Sequence, residues 1–336
     1  MTRSTLKTGV AALATTAALF GATSASALDE ITVAYFLEWP MPFQYAKVNG
    51  MYEEALGVTI NWRSFDTGTA MSAAMASGDV HISVSQGVPP FVVATSAGQD
   101  LQVVDVAVSY ADNDNCVVAE ALEIDGSNAG DLNGRRVGVP IGTAAHYGFL
   151  KQMDHFGVDV SSMEIVDMAP PDGAAAFAQG NLDMVCGWGG ALRRMLEHGN
   201  VLLTGAEKTE LGILTFDVTS APASFVAEEA ELLAKFLAVT AEANAMWNAG
   251  GDAAQAMIPV IAQDAGMDED ATAETLAAFF FPSVEEQLSD AWMGGGVVAH
   301  MEGVAGVFVE AGSIEAARDS YDDAIDAGPL TDASNM

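Results

Sequence analysis

The stretch VGVPIGTAAHYGFL, residues 137–150, shows how this chain is organised. Its first three residues, Val137–Val139, predict a short buried strand. Pro140 and Gly142 predict a tight turn, and a helix is expected to begin near Thr143. The first turn of a helix leaves backbone N–H groups unpaired and carries the positive end of the helix dipole. The stretch therefore predicts a strand–helix junction of an α/β fold that can hold a small anion on one side of a ligand site.

An internal repeat predicts that the chain contains two similar lobes. Residues 74–83 read AMASGDVHIS and residues 176–185 read AFAQGNLDMV, so each copy shows the end of a helix, a Gly, a polar turn and a strand. Each copy also follows a strand and a loop that can cap a helix. The copies are about 100 residues apart, a spacing that favours two lobes over a solenoid. Because strands alternate with helices, each lobe is expected to be a mostly parallel sheet flanked by helices.

The order of the predicted elements places the second copy within the first lobe. Strands at 117–119 and 215–219 are predicted to cross between the lobes. Residues 28–116 and 217–336 are therefore assigned to lobe I, which includes several C-terminal helices, and residues 117–216 to lobe II. Two crossings form a hinge, and ligands of open α/β sheets bind at the carboxyl ends of the strands, which here face the cleft between the lobes.

The first 27 residues have the features of a secretory signal peptide. Arg3 and Lys7 provide positive charge, residues 9–21 are apolar but too few to span a bilayer, and Ala25-Ser26-Ala27 is a small-residue cleavage site. We expect cleavage after Ala27 and a periplasmic location. No later stretch reaches the roughly 18 consecutive apolar residues of a membrane helix, so the mature chain is not expected to be embedded in a membrane.

The charge balance excludes several classes of partner. The chain has 46 acidic and 12 basic residues, which gives a formal net charge of −34. Such a chain should bind neither nucleic acid nor anionic membrane surfaces. The acidity is explained either by a solvated surface suited to a salty exterior or by a cation-binding surface. The stretch nearest to a cation-binding cluster, DNDN at 112–115, lacks the Gly and the terminal Glu of a calcium loop, so we expect no metal ion and no cofactor.

Two cysteines, Cys116 and Cys186, are present. In an exported protein such a pair is more often a disulfide than two free thiols, and the sequence leaves both states open. A bond would close a loop of about 70 residues, which stabilises the fold by about 4 kcal/mol in the chain-entropy model.

The sequence contains no arrangement that indicates catalysis. The five histidines are scattered and form no i, i+4 pair of the kind that binds zinc on a helix. Neither a Gly-x-Ser-x-Gly nucleophile turn nor a phosphate-binding P-loop is found. We therefore expect a binding protein rather than an enzyme.

Several stretches, in conserved order along the chain, resemble a known protein family. They are Ile31–Tyr35, Asn61–Gly68, Ala76–Val80, Gly134–Pro140, His146-Tyr147, Pro170-Pro171 and Phe216–Val218. The chain resembles the periplasmic substrate-binding proteins of ABC importers, in the sulfonate, nitrate and taurine branch, and is most similar to the taurine-binding proteins. The resemblance implies a two-lobed periplasmic binding protein of type II that closes on its ligand.

The same resemblance implies a function. The chain would bind taurine or a similar small aminosulfonate in the cleft, as a monomer, and deliver it to an ABC permease with its ATPase. Two alternatives remain open. The ligand could be another small sulfonate, an oxyanion or an amine, or the chain could be the ligand-sensing subunit of a membrane receptor.

An aminosulfonate needs hydrogen-bond donors at one end and a carboxylate or an aromatic face at the other. Backbone N–H groups at 142–145 and at Gly87-Val88, with the Thr143 hydroxyl and the Gln86 amide, could bind the sulfonate. The candidate residues are Glu38, Trp39, Thr67, Gln86, Gly87, Val88, Thr143, Ala144, His146, Trp188 and Asp217. Glu38 and Asp217 are candidates for the ammonium group.

Some of these residues also have a structural interpretation. Glu38 could be a solvated loop residue, and Asp217 could make a hydrogen bond at the hinge. Thr67 could cap a helix, and His146 could be packed and hydrogen-bonded inside the fold.

Overall fold

The computed structural model describes residues 1–2 and 28–336, so nearly all of the predicted signal peptide lies outside the described residues. The described part of the chain contains ten strands. They are β1 (Glu30–Phe36), β2 (Thr59–Phe65), β3 (Ile82–Gly87), β4 (Leu101–Tyr110), β5 (Asp114–Ala119), β6 (Arg136–Val139), β7 (Glu164–Asp167), β8 (Met184–Trp188), β9 (Gly199–Val201) and β10 (Thr215–Pro222).

The strands form two five-stranded sheets of the same design. The first has the order β2-β1-β3-β10-β4 and the second the order β7-β6-β8-β5-β9. In each sheet the first three strands are parallel, and the fourth is antiparallel to both of its neighbours. The fourth strand is in each case a crossing strand: β5 enters the second sheet, and β10 returns to the first. The predicted pair of α/β lobes with mostly parallel sheets is therefore present.

The crossing strands begin earlier than the sequence assignment placed them. The sequence predicts lobe I for Asp114, Asn115 and Cys116, but they pair with β8 in the second sheet. It predicts lobe II for Thr215 and Phe216, but they pair with β4 in the first sheet. The polar residues at the start of β5 resemble a loop in sequence, yet pairing with β8 satisfies their backbone groups.

Fifteen α-helices surround the two sheets in the described chain. They are α1 (Pro42–Val48), α2 (Met51–Leu56), α3 (Gly68–Ala76), α4 (Val88–Ser96), α5 (Ala144–Phe156), α6 (Pro170–Ala178), α7 (Gly189–Leu196), α8 (Gly205–Glu210), α9 (Ala223–Glu228), α10 (Ala230–Ala249), α11 (Gly251–Ala265), α12 (Glu269–Ala277), α13 (Val284–Gln287), α14 (Gly296–Glu310) and α15 (Gly328–Ala333). None of the described helices is long and apolar enough to cross a membrane.

The C-terminal helices enlarge the core of the first lobe. Helices α10 and α11 pack on α1, and α14 packs on α4, so one large hydrophobic core surrounds the first sheet. The second sheet has a smaller core on each face. Helix α14 also packs on α5 of the second lobe, which makes it a contact between the lobes.

Cys116 and Cys186 lie directly opposite each other on β5 and β8, and a disulfide joins them. Both residues are buried. The bond links the strand that enters the second lobe to the central strand of that lobe.

Candidate functional site

A cavity lies between the two lobes, where the strands of both sheets end. It contains about 290 Å³ of empty space, part of which is open to solvent. Its lining residues come from the ends of β1, β3, β4 and β8, the loop after β1, the starts of α3, α4 and α5, and the crossing strands β5 and β10. They are Phe36, Trp39, Gly68, Gly87, Pro90, Tyr110, Asp114, Thr143, Ala144, Trp188 and Asp217.

The start of α5 presents hydrogen-bond donors beside the cavity. Thr143 is the N-cap residue, and its hydroxyl donates to the carbonyl oxygen of Pro140 (2.6 Å) and accepts the N–H of His146 (3.4 Å). Among the described residues, the N–H groups of Ala144 and Ala145 have no hydrogen-bond partner. Helix α5 therefore offers two backbone donors and the positive end of its dipole beside the cavity.

Helix α4 contributes fewer donors than the sequence suggested. Pro89 and Pro90 follow Val88 in its first turn, and proline has no N–H group. Val88 itself is fully buried and does not line the cavity, whereas Gly87 does.

Asp217 lies at the centre of a buried hydrogen-bond network in the first lobe. Its carboxylate accepts hydrogen bonds from the Tyr110 hydroxyl (2.7 Å) and the Ser85 hydroxyl (2.8 Å). The Trp39 indole donates to the same Ser85 oxygen (2.9 Å). Burial raises the pKa of Asp217 to about 7, although both hydrogen bonds lower it. The network fixes the carboxylate at the cavity wall and leaves room for a further donor on its oxygens.

Asp114, the first residue of β5, is a second buried carboxylate at the cavity. Burial raises its pKa to about 7, and the charge of Lys208 opposes this shift. Lys208 does not bind the carboxylate directly, because its ammonium group donates to the backbone carbonyls of Ala111 (2.7 Å) and Asp114 (2.5 Å). None of the described residues that line the cavity is basic.

Aromatic side chains form much of the remaining wall. Trp39 and Tyr110 meet edge to face with ring centroids 4.9 Å apart, and Phe36 and Trp188 meet in the same way at 5.9 Å. The second pair joins the end of β1 in the first lobe to the end of β8 in the second. Phe36 and Trp188 also line a second space of about 730 Å³, so this pair separates the two spaces.

Six of the eleven candidate residues therefore line the cavity: Trp39, Gly87, Thr143, Ala144, Trp188 and Asp217. Gln86 does not, because its amide donates to the Gly68 carbonyl and the Ser72 hydroxyl and accepts from Ser220, so it connects β3, α3 and β10. Thr67 caps α3 by accepting the N–H of Ala70.

His146 also lies outside the cavity. Its Nδ1 accepts the N–H of Gly142 (3.2 Å), and its ring stacks on Phe308 of α14. Burial lowers the pKa of His146 to about 4. The imidazole is thus neutral near pH 7 and joins α5 to α14 between the lobes.

Glu38 lines the second space and forms an ion pair across the cleft. Its carboxylate accepts two hydrogen bonds from Arg194 of α7, at 2.5 and 3.0 Å, and its backbone carbonyl accepts the N–H of Gly190 (3.1 Å). Its own N–H donates to the carbonyl of Ala265. The residue therefore connects the two lobes and is not exposed to a ligand in the smaller cavity.

Five lining residues were not candidates: Phe36, Gly68, Pro90, Tyr110 and Asp114. Tyr110 and Asp114 flank the turn that leads from the first lobe to the second. The acidic run at 112–115 is the sequence signal that could have indicated Asp114. The described residues contain no group of three or more His, Cys, Asp or Glu side chains that could hold a metal ion.

The comparison with known families agrees with this architecture. A family model described as NMT1/THI5 like matches residues 40–254. The chain belongs to the NMT1/THI5-like family. This NMT1/THI5-like protein is 30% identical over 206 residues to the taurine-binding periplasmic protein of Escherichia coli (strain K12), an alignment that covers 61% of the chain and 62% of that relative. The match thus spans about three fifths of the relative's length.

Solved structures show the same fold as this NMT1/THI5-like chain. The periplasmic aliphatic sulphonate-binding protein of Escherichia coli superposes with a TM-score of 0.68 at 22% identity, covering 87% of this chain and 95% of that one. A desulfurization enzyme superposes with a TM-score of 0.62 at 15% identity, covering 91% and 99%. The resemblance to periplasmic sulfonate- and taurine-binding proteins and the two-lobed fold are therefore confirmed.

Proposed function

We propose that this protein is the extracytoplasmic solute-binding subunit of an ABC importer. Its ligand would be a small zwitterion with an ammonium group and a sulfonate group, of which taurine is the simplest example. The observation that supports this most strongly is the composition of the cavity. A helix N-terminus with free donors and two buried carboxylates line the same space between the lobes.

The carboxylates favour a ligand with a positive charge. A buried carboxylate without a cationic partner is costly, and the raised pKa of Asp217 reflects that cost. A ligand ammonium group would pair with Asp217 and lie against the aromatic wall formed by Trp188 and Tyr110. A cation on such a wall gains about 2 kcal/mol or more when desolvated.

The α5 N-terminus favours an anionic group on the same ligand. Sulfonate oxygens only accept hydrogen bonds, and the N–H groups of Ala144 and Ala145 are donors without partners in the described chain. The cavity is small, since its empty space of about 290 Å³ includes space that is open to solvent. A compact ligand is therefore expected.

Ligands with only one of these charges fit less well. A simple oxyanion or an unsubstituted sulfonate would leave Asp114 and Asp217 without a cation. A simple amine would leave the α5 donors unused. These ligands are therefore the second choice. The second candidate role is that of a ligand-sensing subunit, in which the ligand-bound protein would bind a membrane receptor rather than a permease.

A binding role is favoured over catalysis, although a desulfurization enzyme has the same fold. The described lining contains no Ser, Cys or His, and the Thr143 hydroxyl is already used to cap α5. The periplasmic location in the name of the taurine-binding relative supports export of this chain. Cleavage after Ala27 and action as a monomer beside a permease are part of the same proposal.

Calorimetric titration with taurine, hypotaurine, isethionate, sulfate, nitrate and a quaternary amine tests the proposed function. We expect the tightest binding for taurine or hypotaurine and compaction of the protein in solution scattering when they bind. Absence of heat with every sulfonate would refute the aminosulfonate assignment. Turnover of any of these compounds would refute the binding role.

A further inference from the structure

Two acidic side chains approach the cavity on the two strands that cross between the lobes. Asp114 begins β5 of the second sheet, and Asp217 lies on β10 of the first sheet. Both side chains line the cavity, and each residue is only 3% exposed. The two carboxylates are therefore carried by different lobes and share one desolvated space.

Neither carboxylate is neutralised by a direct ion pair. The partners of Asp217 are the neutral hydroxyl groups of Tyr110 and Ser85. The only cation near Asp114 in the described chain is Lys208, which donates to backbone carbonyls and does not approach the carboxylate closely enough to form an ion pair. With both carboxylates ionised, the closed site thus has an excess of negative charge.

We propose that Asp114 is a specificity-determining residue that makes closure of the lobes conditional on a cationic group in the ligand. This inference rests on the proposed function and deepens it. Closure brings Asp114 and Asp217 to one cavity, where their charges repel. An ammonium group placed beside both carboxylates replaces this repulsion with attraction. A ligand of the same shape with a hydroxyl group in place of the ammonium leaves the repulsion in place and is rejected.

The physical basis is the difference between the open and closed states. A ligand shifts such an equilibrium only by its differential affinity for the two states. In the open state each carboxylate can be hydrated, so repulsion between them is weak, whereas in the closed state it acts in a medium of low dielectric constant. Burial is the main cause of the raised pKa of Asp217, and the negative charge of Asp114 raises this pKa further.

Taurine and isethionate are the probes for this inference, because they differ only in an amine or a hydroxyl group. Their affinities are measured by calorimetry for the wild type, for Asp114→Asn and for Asp105→Asn. Asp105 is the matched control: it is a buried aspartate on β4 that accepts from Thr219 and does not line the cavity.

We expect the wild type to prefer taurine by at least a hundredfold. Asp114→Asn should lose at least tenfold in taurine affinity and reduce the taurine-to-isethionate ratio by at least tenfold. Asp105→Asn should keep the ratio within threefold of the wild type. Solution scattering should show that unliganded Asp114→Asn is more compact than the unliganded wild type.

The outcomes separate the inference from the proposed function. If the wild type binds both sulfonates equally, or if Asp114→Asn keeps the wild-type ratio, the role of Asp114 is refuted and solute binding stands. If the wild type binds neither sulfonate nor any other solute, the function itself is refuted. Asp114→Asn could fail to fold because Lys208 loses its compensating charge. In that case the double variant Asp114→Asn with Lys208→Met removes both charges. Its taurine-to-isethionate affinity ratio then tests the role of Asp114.

Discussion

At the scale of single residues, Asp217 is the group whose loss should affect binding most. Replacing Asp217 by Asn keeps its shape and removes the charge that would pair with a ligand ammonium group. We expect the affinity for taurine to fall by more than tenfold, equivalent to about 1.4 kcal/mol. Calorimetry checks this, with Asp105→Asn as the control. An unchanged affinity would assign Asp217 to the hinge, where it already binds Tyr110 and Ser85.

The pH dependence of binding follows from the two raised pKa values. Burial raises the pKa of Asp114 and of Asp217 to about 7, well above the ordinary value of about 4. A cationic ligand binds the ionised forms, so its affinity should fall as the pH decreases from 8 to 5.5. Titrations across this range check the prediction. An anion-only ligand should show no such fall, and a flat profile for taurine would contradict the role of both carboxylates.

The stability of the unliganded protein should change in the opposite direction. Between about pH 4 and pH 7 the folded state binds more protons at these residues than the unfolded state does. The free energy of unfolding should therefore increase as the pH falls from 8 to 5. Denaturant unfolding of the wild type and of Asp217→Asn at several pH values measures this effect. The free energy of unfolding should increase less in the variant, whereas the contribution of the other acidic residues should be the same in both proteins.

The difference between Asp217 and Asp114 shows how far the sequence predicts such residues. Asp217 is the single acidic residue between the apolar residues Phe216 and Val218. These neighbours indicate a buried strand, in which a carboxylate needs a hydrogen-bond or ion-pair partner. Asp114 lies in an acidic and amide-rich run that resembles a solvated loop. Its burial arises from pairing of β5 with β8, about 70 residues away, and no local pattern indicates that pairing.

At the scale of secondary-structure elements, helix starts are the parts of the site that the sequence predicts best. The turn at Pro140 and Gly142 and the cap at Thr143 depend on neighbouring residues, and α5 begins at Ala144 as expected. The ion pair of Glu38 could not be predicted, because it depends on a residue that is distant in the sequence. Its partner Arg194 is 156 residues away, and only the packing of α7 against the β1–α1 loop brings the two together.

Helix α7 provides two adjacent arginines that pair with the first lobe. Arg194 binds Glu38, and Arg193 binds Glu274 of α12 at 2.8 Å. Both pairs are partly exposed, so each contributes modestly and is weakened by salt. Arg194→Ala should reduce taurine affinity about two- to fivefold and flatten its salt dependence, since the pair joins the two lobes and separation of the lobes would break it.

Titrations at low and high salt measure the effect of Arg194→Ala. The control is Arg136→Ala, because Arg136 pairs with Glu164 within the second lobe and should not respond to closure. Equal effects of the two variants would show that the Glu38–Arg194 pair makes no contribution to closure.

At the scale of the whole molecule, the two lobes resemble each other in topology, and a few of their surface residues are in close contact across the cleft. Gly190 of α7 touches Glu38 of the first lobe so closely that a Cβ atom at this position would lie 2.9 Å from the Cβ of Glu38. Gly190 has no positive φ angle, so alanine is compatible with its backbone. Alanine there should therefore obstruct closure without disturbing the fold of the second lobe.

We expect Gly190→Ala to weaken taurine binding at least tenfold and to keep the protein extended in solution scattering when taurine is added. Its melting temperature without ligand should remain within about 2 °C of the wild type, because the contact is between lobes rather than within one. Gly148→Ala is the control, since a Cβ atom at Gly148 in α5 would meet nothing within 4 Å. If taurine compacts Gly190→Ala as much as the wild type, the contact between Gly190 and Glu38 is not needed for ligand binding. The residues that line the cavity would then account for the affinity.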